Sequence, residues 1–218
     1  MVVMKETFIR ECPDCIFVPT SNMYYTLMSF LKKREGIRIE KVGSSYLIKK
    51  GKLEIFSPTP KFLGFGFREF ESKFEEIFKI KEGETVADIG ACIGDTTLPM
   101  CVKVGQTGHV IAVEPHPVNV GYLKLNLKLK GFNNVEVIEK AVWYKKETME
   151  LNIHDTPTGH SLLSHETRKL KIQIDADTLD NIFGDKKIDF AKIDVQGAEV
   201  EVLRGGMNSF LKNTKKLL

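Results

Sequence analysis

The spacing of hydrophobic residues changes along the chain and divides it into two parts. Apolar residues recur every three to four positions over residues 21–33 and again over residues 67–78, which predicts two amphipathic helices. Between them lie short alternating segments separated by turn residues, at residues 37–39, 46–48 and 53–56. This pattern is typical of a small antiparallel meander. We therefore expect a small α+β appendage over residues 1–66.

From Glu84 onward, buried-strand and helix patterns alternate. The predicted strands are residues 85–90, 110–114, 135–142 and 188–194, and the predicted helices are residues 95–104, 117–130, 178–183 and 198–211. Such alternation indicates an α/β domain with a parallel sheet and right-handed crossovers. An excursion over about residues 143–187 contains two alternating segments, 149–153 and 170–174, which we expect to pair. Residues 215–218 resemble the start of a further strand.

Composition adds limits on location and partners. The chain has 218 residues, 42% hydrophobic and 28% charged, with a formal net charge of +3. This small positive excess does not favour a dedicated nucleic-acid binder, and it does not exclude that class of protein either. No run approaches 18 apolar residues and no signal peptide is recognisable, so we expect a cytoplasmic protein without a membrane partner. Cys12 and Cys15 form a single CxxC, which favours free thiols over a zinc or disulfide shared by two copies.

The predicted parallel sheet directs attention to the residues that follow its strands. Ligands of such sheets bind beyond the carboxyl ends of the strands. Gly90 and Gly94 follow the first strand with a GxxxG spacing, which differs from the GxGxxG of dinucleotide-binding folds. Asp88 places a carboxylate beside this loop and suits a cation better than a phosphate. The loop therefore indicates a cofactor with a cationic group.

Glu114 ends the second predicted strand, twenty residues after Gly94. A carboxylate at this position can accept both hydroxyls of a ribose, in a dinucleotide or in another adenosine cofactor. Because no phosphate-binding loop accompanies it, S-adenosylmethionine is favoured, with its ammonium group near Asp88. A nicotinamide-dependent dehydrogenase is the weaker alternative.

Several motifs together resemble a known enzyme family. Residues 88–94, 113–117 and 140–142 are similar to the motifs of class I methyltransferases, and residues 178–182 and 188–206 narrow the resemblance to the FkbM type. The resemblance implies a Rossmann-like sheet and methyl transfer from S-adenosylmethionine to a hydroxyl oxygen of a sugar, glycan or secondary metabolite. It also implies cofactor-binding residues: Asp88, Gly90 and Gly94 for the methionine part, Glu114 for the ribose, His116 and Ala141 beside the adenine, and Ala91, Cys92, Asp95, Thr96, Pro115 and Val142 from the same motifs.

The sequence departs from the family pattern at three places. Cys92 stands where Asn is frequent, and Gln196 stands where Glu is common. The chain also ends where the later strands of a class I sheet would begin, so we expect those C-terminal strands to be missing. If the chain is whole, a homodimer or another partner is expected to cover the exposed sheet edge; if it is a fragment, substrate-binding parts lie elsewhere.

The candidates for catalysis follow the fourth predicted strand. Asp194 is placed to act as a general base for a hydroxyl nucleophile, or else to bind the cofactor or the loop. Lys192 is expected on the same face by strand alternation. Glu199 opens the next helix, where a carboxylate is favoured by the helix dipole alone. His154, His160 and His165 are interpreted as surface residues of the excursion, and no metal-ligand set is recognisable.

Two other functions remain open at this point. The same core could serve an RNA or protein methyltransferase, or a cofactor-binding module without catalysis. Neither residues 1–66 nor residues 143–187 contain a motif that identifies the acceptor.

Overall fold

A computed structural model describes residues 37–50, 53–60, 79–154, 159–162 and 170–218. The predicted helices at 21–33 and 67–78, the predicted domain boundary at residue 66, and the Cys12–Cys15 pair lie outside these ranges. The chain divides into two compact units, residues 1–38 and 39–218, and the candidate site lies in the second. Among the described residues, no helix is long and apolar enough to cross a membrane.

Strands and helices alternate from residue 85 to residue 138, as the sequence predicts, and three further strands follow before the next helix. In chain order the described elements are β1 (Arg38–Val42), β2 (Ser45–Lys50), β3 (Leu53–Ser57), β4 (Thr85–Ile89), α1 (Thr97–Val104), β5 (His109–Val113), α2 (Pro117–Leu129), β6 (Val135–Ile138), β7 (Ala141–Val142), β8 (Glu147–Asn152), β9 (Lys171–Asp177), α3 (Leu179–Phe183), β10 (Phe190–Ile193), α4 (Glu199–Arg204) and α5 (Phe210–Asn213).

The central sheet has the strand order β10-β4-β5-β6, and all of its strands are parallel. Its strands are short, buried, mainly apolar runs, which is the composition expected where helices cover both faces. The predicted Rossmann-like α/β sheet is therefore confirmed. The register sets Lys192 opposite Asp88, so these two buried side chains lie side by side on neighbouring strands.

The last four residues run alongside β10. The Ala191 amide donates to the carbonyl of Lys216 at 2.9 Å, and the Leu218 amide donates to the carbonyl of Ala191 at 2.9 Å. The bridge between Ala191 and Leu217 is parallel, as in the rest of the sheet. The expected strand start at residues 215–218 is thus confirmed, and the outer edge of β10 is paired.

The N-terminal strands form their own sheet, in the order β1-β2-β3. β2 and β3 pair in antiparallel register with Ile48 opposite Ile55, which confirms the predicted meander. Asn126 of α2 ties this sheet to the α/β core. Its amide oxygen accepts from the Phe56 amide at 2.7 Å, and its amide nitrogen donates to the carbonyls of Phe56 and Ile93 at 3.0 and 2.9 Å. The buried Asn126 amide therefore satisfies three backbone groups at once.

The predicted strand over residues 135–142 is wrong as a single element. β6 ends at Ile138, and β7 belongs to a second sheet with the order β7-β9-β8. Within that sheet β8 and β9 are antiparallel, with Met149 opposite Ile174, so the predicted pairing within the excursion is confirmed. The Trp143 amide donates to the carbonyl of Asp177 at 2.9 Å, so after β7 the backbone remains paired with β9 instead of rejoining the parallel sheet.

The predicted helix over residues 198–211 is also divided, into α4 and α5. A Cβ at Gly205 would lie 2.3 Å from the carbonyl oxygen of Trp143, so the chain packs there at a distance only glycine permits. Asp180 then caps the new helix start, because its carboxylate accepts from the amides of Asn208, Ser209 and Phe210. Burial raises the pKa of Asp180, but these backbone hydrogen bonds outweigh it and lower the pKa to about 2.

The main apolar core lies between the parallel sheet and helices α3, α4 and α5. It combines Ala87, Ile89, Ile111 and Val113 of the sheet with Leu179, Phe183, Val202 and Phe210 of the helices. The rings of Phe183 and Phe210 meet with their centroids 4.8 Å apart. Each such fully buried side chain contributes roughly 1.5–3 kcal/mol. This core fixes the strands β4, β5 and β10, from whose ends the candidate site extends.

Candidate functional site

A cavity of about 310 Å³ opens at the carboxyl ends of β4, β5 and β10. This volume lies at the lower end of the range of about 300–1,000 Å³ typical of ligand pockets. We call one side the parallel-sheet wall; it consists of Ile89, Gly90, Cys92, Asp95, Thr96, Val113, Glu114, Pro115, Lys192, Asp194, Val195 and Gln196. The other side, the insertion-side wall, consists of Lys140, Ala141, Val142, Leu151, His160, Ser161 and Leu162.

Gly90 brings two strand ends into direct contact. Its φ is 82°, in the left-handed region, and a Cβ there would lie 1.9 Å from the carbonyl oxygen of Asp194. The amides of Gly90 and Ala91 both donate to the carbonyl of Val113, at 2.9 and 3.0 Å. Gly90 therefore holds the loop after β4 against the ends of both neighbouring strands, and its lack of a side chain leaves bare backbone on the cavity wall.

Gly94 packs against α2, whereas the sequence-based expectation places it beside the methionine part of the cofactor. Its φ is 97°, and a Cβ there would lie 2.8 Å from Cδ1 of Leu123 in α2. Neither Gly94 nor the fully buried Ala91 contributes to either cavity wall. The GxxxG spacing thus identifies the loop correctly, while only its first glycine faces the cavity.

Asp88 lies beneath the cavity, with an exposed fraction of 0%. One carboxylate oxygen accepts from the hydroxyls of Thr96 and Thr97 at 2.6 and 2.7 Å, and the other accepts from Nζ of Lys192 at 3.0 Å. The sequence-based expectation that Asp88 receives the cofactor's ammonium directly does not fit this arrangement, because its oxygens are buried and hydrogen-bonded. The carboxylate instead orders the start of α1, while Thr96 reaches the wall itself.

Lys192 is the cationic partner of Asp88 on the parallel-sheet wall. Its side chain is 5% exposed, and its Nζ also donates to the carbonyl of Gly90 at 3.3 Å. Burial lowers the pKa of Lys192, but the charges of Asp88, Asp194 and Asp95 outweigh this and raise it. Lys192 is therefore expected to be protonated, which favours a binding or electrostatic role over that of a general base.

Glu114 lies on the wall at the end of β5, where the sequence places it. One oxygen accepts from the Cys92 amide at 2.9 Å, and the other accepts from the His116 amide at 3.0 Å and the side-chain amide of Asn119 at 3.2 Å. Burial raises the pKa of Glu114 to about 7, because it outweighs the opposing effect of these donors. The sequence analysis did not single out Asn119. The available signal was a polar residue in the first turn of the predicted helix, directly after Glu114 and His116.

Cys92 occupies a strained backbone position beside Glu114. Its φ is 51°, in the left-handed region that Asn adopts more readily than most residues. This explains why Asn suits the same place in the family pattern. Burial, together with the charges of Asp95 and Glu114, raises the pKa of the Cys92 thiol well above its ordinary value. The thiol is therefore expected to be neutral, and the backbone amide is the group of this residue that contacts Glu114.

Two histidines meet at the mouth of the cavity. The rings of His116 and His160 have centroids 4.2 Å apart, and only His160 is part of a wall. Nδ1 of His116 accepts from the Asn119 amide at 3.4 Å and so caps α2, and burial lowers the pKa of His116. His160 was interpreted as a surface residue, and the structure places it half-buried on the cavity wall. His165 lies outside the described residues.

Asp194 and Gln196 close the parallel-sheet wall after β10. The side-chain amide of Gln196 donates to Oδ1 of Asp194 at 2.9 Å, and Ser161 donates its hydroxyl proton to the Gln196 carbonyl at 3.1 Å.

Glu199 lies off the wall and accepts from the amides of Val195 and Gly197 at 3.0 and 3.2 Å. Burial raises the pKa of Glu199, but its backbone hydrogen bonds prevail and lower it. The interpretation of Glu199 as a helix-start residue therefore agrees with its contacts.

The cavity carries an excess of acidic groups. Asp95, Glu114 and Asp194 lie on the wall, while the wall lysines Lys192 and Lys140 each pair with a carboxylate behind it, Asp88 and Asp177 respectively. Such a surface favours a ligand with positive charge. Within the part of the chain that the structure describes, no group of three His, Cys, Asp or Glu side chains is arranged to hold a metal ion. The expectation that no metal is needed stays a prediction.

Comparisons with known proteins agree with this geometry. The family model described as "Methyltransferase FkbM domain" matches residues 88–215. "Methyltransferase 1" of Beauveria bassiana is 25% identical over 159 residues, which cover 62% of this chain and 64% of that protein. A protein-L-isoaspartate O-methyltransferase of Methanosarcina mazei is 40% identical over 63 residues, or 29% of this chain and 26% of that one. This chain thus spans less than two thirds of either relative.

A solved structure, M. jannaschii TYW2 in complex with AdoMet, is 28% identical and covers 45% of this chain and 44% of that one, with a TM-score of 0.37. The family match is the broader finding, because it extends from the buried Asp88 through both cavity walls to the end of the last helix and covers more than half of the chain. This chain belongs to the FkbM methyltransferase domain family.

Proposed function

We propose that this chain transfers a methyl group from S-adenosylmethionine to a hydroxyl oxygen of a sugar, glycan or secondary metabolite. The observation that carries the proposal is the acidic cavity at the strand ends of a methyltransferase-family domain. S-adenosylmethionine has a sulfonium, an ammonium and one carboxylate, so its net charge is positive. A dinucleotide would instead bring two phosphates against Asp95, Glu114 and Asp194.

The residues of the parallel-sheet wall fit the cofactor. An ionised carboxylate has about four acceptor positions, and three described donors occupy part of those on Glu114. The remaining capacity suits the hydroxyls of a ribose. Gly90 offers bare backbone to the methionine part, and the carboxylate of Asp95 and the hydroxyl of Thr96 line the same wall. Ala141 and Val142 supply an apolar surface on the opposite wall for the adenine.

Bound S-adenosylmethionine supplies an electrophilic methyl group on its sulfonium. The protein then has to orient the acceptor hydroxyl and receive its proton. Asp194 is the proposed general base, since its carboxylate is on the wall and Lys192 is expected to be protonated. Leu151, Leu162 and Val195 are apolar wall residues that exclude water from the acceptor. Binding of the cofactor or of the loop is the alternative role of Asp194.

The first experiment is a calorimetric titration with S-adenosylmethionine and, separately, with NAD. We expect micromolar affinity for S-adenosylmethionine and no detectable binding of NAD. Glu114→Gln should weaken binding at least about tenfold, since it removes a charge-assisted hydrogen-bond acceptor. Glu150→Gln, at an exposed pair with Lys171, is the matched control and should bind normally. Binding of NAD, or no binding of S-adenosylmethionine, would overturn the proposed cofactor.

The second experiment follows tritium from labelled S-adenosylmethionine into separate acceptor pools: saccharides, hydroxylated small molecules, RNA and peptides. Label in a hydroxylated small molecule or saccharide supports the proposal, and label in RNA or peptide shows a different acceptor class. Asp194→Asn should reduce transfer about 100-fold, and undiminished transfer would remove Asp194 as the base. Cofactor binding without transfer in any pool would favour a module without catalysis. From the sequence we further propose a cytoplasmic location and a homodimer.

A further inference from the structure

Gln196 has a backbone conformation that calls for an explanation. Its φ is 59°, in the left-handed region, and it is followed by Gly197 at φ 98°. Residues other than glycine adopt this conformation only where the surroundings enforce it. Here Glu199 accepts from the amides on either side of Gln196, at Val195 and Gly197. The turn is thus held from the α4 side by one carboxylate.

A second restraint reaches Gln196 from the opposite wall of the cavity. The hydroxyl of Ser161 donates to the Gln196 carbonyl at 3.1 Å. Ser161 is itself paired with the end of β8, since its amide and carbonyl both bond to the backbone of Asn152, at 3.2 and 2.9 Å. The strained turn after β10 is therefore connected to the second sheet by a direct hydrogen bond.

The side chain of Gln196 uses this conformation to reach Asp194. Its amide nitrogen donates to Oδ1 of Asp194 at 2.9 Å. The Asp194 backbone is fixed independently, because its amide donates to the carbonyl of Ile89 at 3.0 Å and its own carbonyl lies against Gly90. Because the Asp194 backbone is fixed, the hydrogen bond from the Gln196 side-chain amide determines the direction of the Asp194 carboxylate.

We propose that Gln196 is a positioning residue for Asp194 and that Ser161, from the insertion-side wall, holds Gln196 in place. This proposal rests on the proposed function, in which the Asp194 carboxylate receives the proton of the acceptor hydroxyl. The Gln196 amide orients that carboxylate by donating to its Oδ1. The segment that forms the insertion-side wall thereby influences the base without touching it.

Three variants separate this role from a structural one. Gln196→Gly removes the amide and also relieves the backbone strain, so a purely structural role predicts an unchanged or improved site. Gln196→Glu preserves the shape but places a second carboxylate against Asp194. Ser161→Ala removes the hydroxyl that donates to the Gln196 carbonyl. Gln173→Glu, on the exposed side of β9, controls for the added charge.

The measurement is a titration of protein labelled with ¹³C at the aspartate carboxyl, followed by NMR, with the Asp194 signal identified by its loss in Asp194→Asn. No acceptor is needed. The other titratable groups around the cavity are the same in all variants. Those on the walls are Cys92, Asp95, Glu114, Lys140, His160 and Lys192, and Asp88 and Glu199 lie behind the wall. Differences between variants therefore report the Gln196 contact.

We expect the Asp194 midpoint to rise by more than about one pH unit in Gln196→Glu and by about half a unit in Gln196→Gly. Ser161→Ala should shift it in the same direction by less, and this shift should vanish in the Gln196→Gly background. Unchanged midpoints in Gln196→Gly and Ser161→Ala would overturn the proposal. Full methyl transfer by Asp194→Asn would instead refute the proposed base, so the two failures are distinguishable.

Discussion

On the parallel-sheet wall, buried charges and backbone amides hold one another, whereas the lysine–aspartate pair of the insertion-side wall lies closer to solvent. Lys192 and Lys140 illustrate the contrast, because each is a wall lysine bound to an aspartate. The side chains of the first pair, with Asp88, are 5% and 0% exposed; those of the second, with Asp177, are 38% and 8% exposed. The same chemical pair is therefore part of the core on one wall and near the surface on the other.

This difference determines which substitutions each wall can tolerate without loss of the fold. The buried pair connects β4 to β10 and carries the loop that includes Gly90, so altering it affects the sheet itself. The pair on the insertion side lies between the start of β7 and the end of β9, and Asp177 keeps other partners there. We therefore expect the parallel-sheet wall to be constrained by folding and the insertion-side wall to be freer to vary with the acceptor.

The largest expected effect comes from Lys192→Met. The substitution leaves Asp88 charged and buried without its cation, which costs about 3–5 kcal/mol of unfolding free energy. Urea denaturation of the wild type and the variant measures this loss. Lys171→Met is the matched control, since its pair with Glu150 is about half exposed on both sides and is expected to contribute 1 kcal/mol at most. Equal losses in both variants would remove the distinction between core and surface pairs.

A comparable test concerns Gly90, where two strand ends meet. Gly90→Ala adds a Cβ 1.9 Å from the carbonyl oxygen of Asp194, so we expect a loss of about 3 kcal/mol or more in unfolding free energy. Gly131→Ala is the control, because Gly131 has a similar φ of 72° and a Cβ there would meet no described atom within 4 Å. It should cost only about 1 kcal/mol for the backbone strain. A Gly90 variant as stable as the Gly131 variant would show that the strand ends can separate.

The parallel-sheet wall could be predicted because its residues follow strands directly in the sequence. Glu114 and Asp194 are examples, since each comes immediately after a buried apolar run whose position in the sheet is dictated by the pattern. The burial of Asp88 could not be predicted in the same way. It depends on the pairing of Asp88 with Lys192, which in turn depends on strand register between residues 104 positions apart. Register of this kind is a tertiary property that local periodicity does not contain.

Ala141 and Val142 of the insertion-side wall were expected from the sequence, but the residues that follow β8 on this wall could not be predicted, for the same reason. His160 and Ser161 reach the cavity because β8 pairs with β9 and the chain then returns beside Asn152. The alternation within β8 and β9 predicts their pairing but not the direction in which the following segment turns. Likewise, the helix over 198–211 was predicted as continuous because apolar spacing continues through Gly205 and Gly206, whereas contacts with Trp143 and Leu179 interrupt it.

A third prediction tests the electrostatics of the parallel-sheet wall through pH. The Glu114 carboxyl has a pKa of about 7, so its ionised fraction falls from about 0.9 at pH 8 to about 0.1 at pH 6. If the carboxylate binds the ribose, the Kd for S-adenosylmethionine should rise by up to about tenfold over this range. Calorimetry at several pH values measures it, and Glu114→Gln should give a weak but nearly pH-independent Kd. Burial lowers the pKa of His116 below its ordinary value.

The smallest expected effect is that of Lys140→Met on the insertion-side wall. The substitution removes the 2.8 Å contact with Asp177, but Asp177 still accepts from the Thr178 amide at 3.0 Å and the Asn181 side chain at 2.9 Å. Because Lys140 is partly exposed, water compensates for the lost cation, and we expect the unfolding free energy to fall by 1 kcal/mol at most. Urea denaturation beside Lys192→Met gives the direct comparison. A loss above about 2 kcal/mol would mean that the insertion-side wall is as tightly constrained by folding as the parallel-sheet wall, and that its residues are less free to vary with the acceptor than we infer.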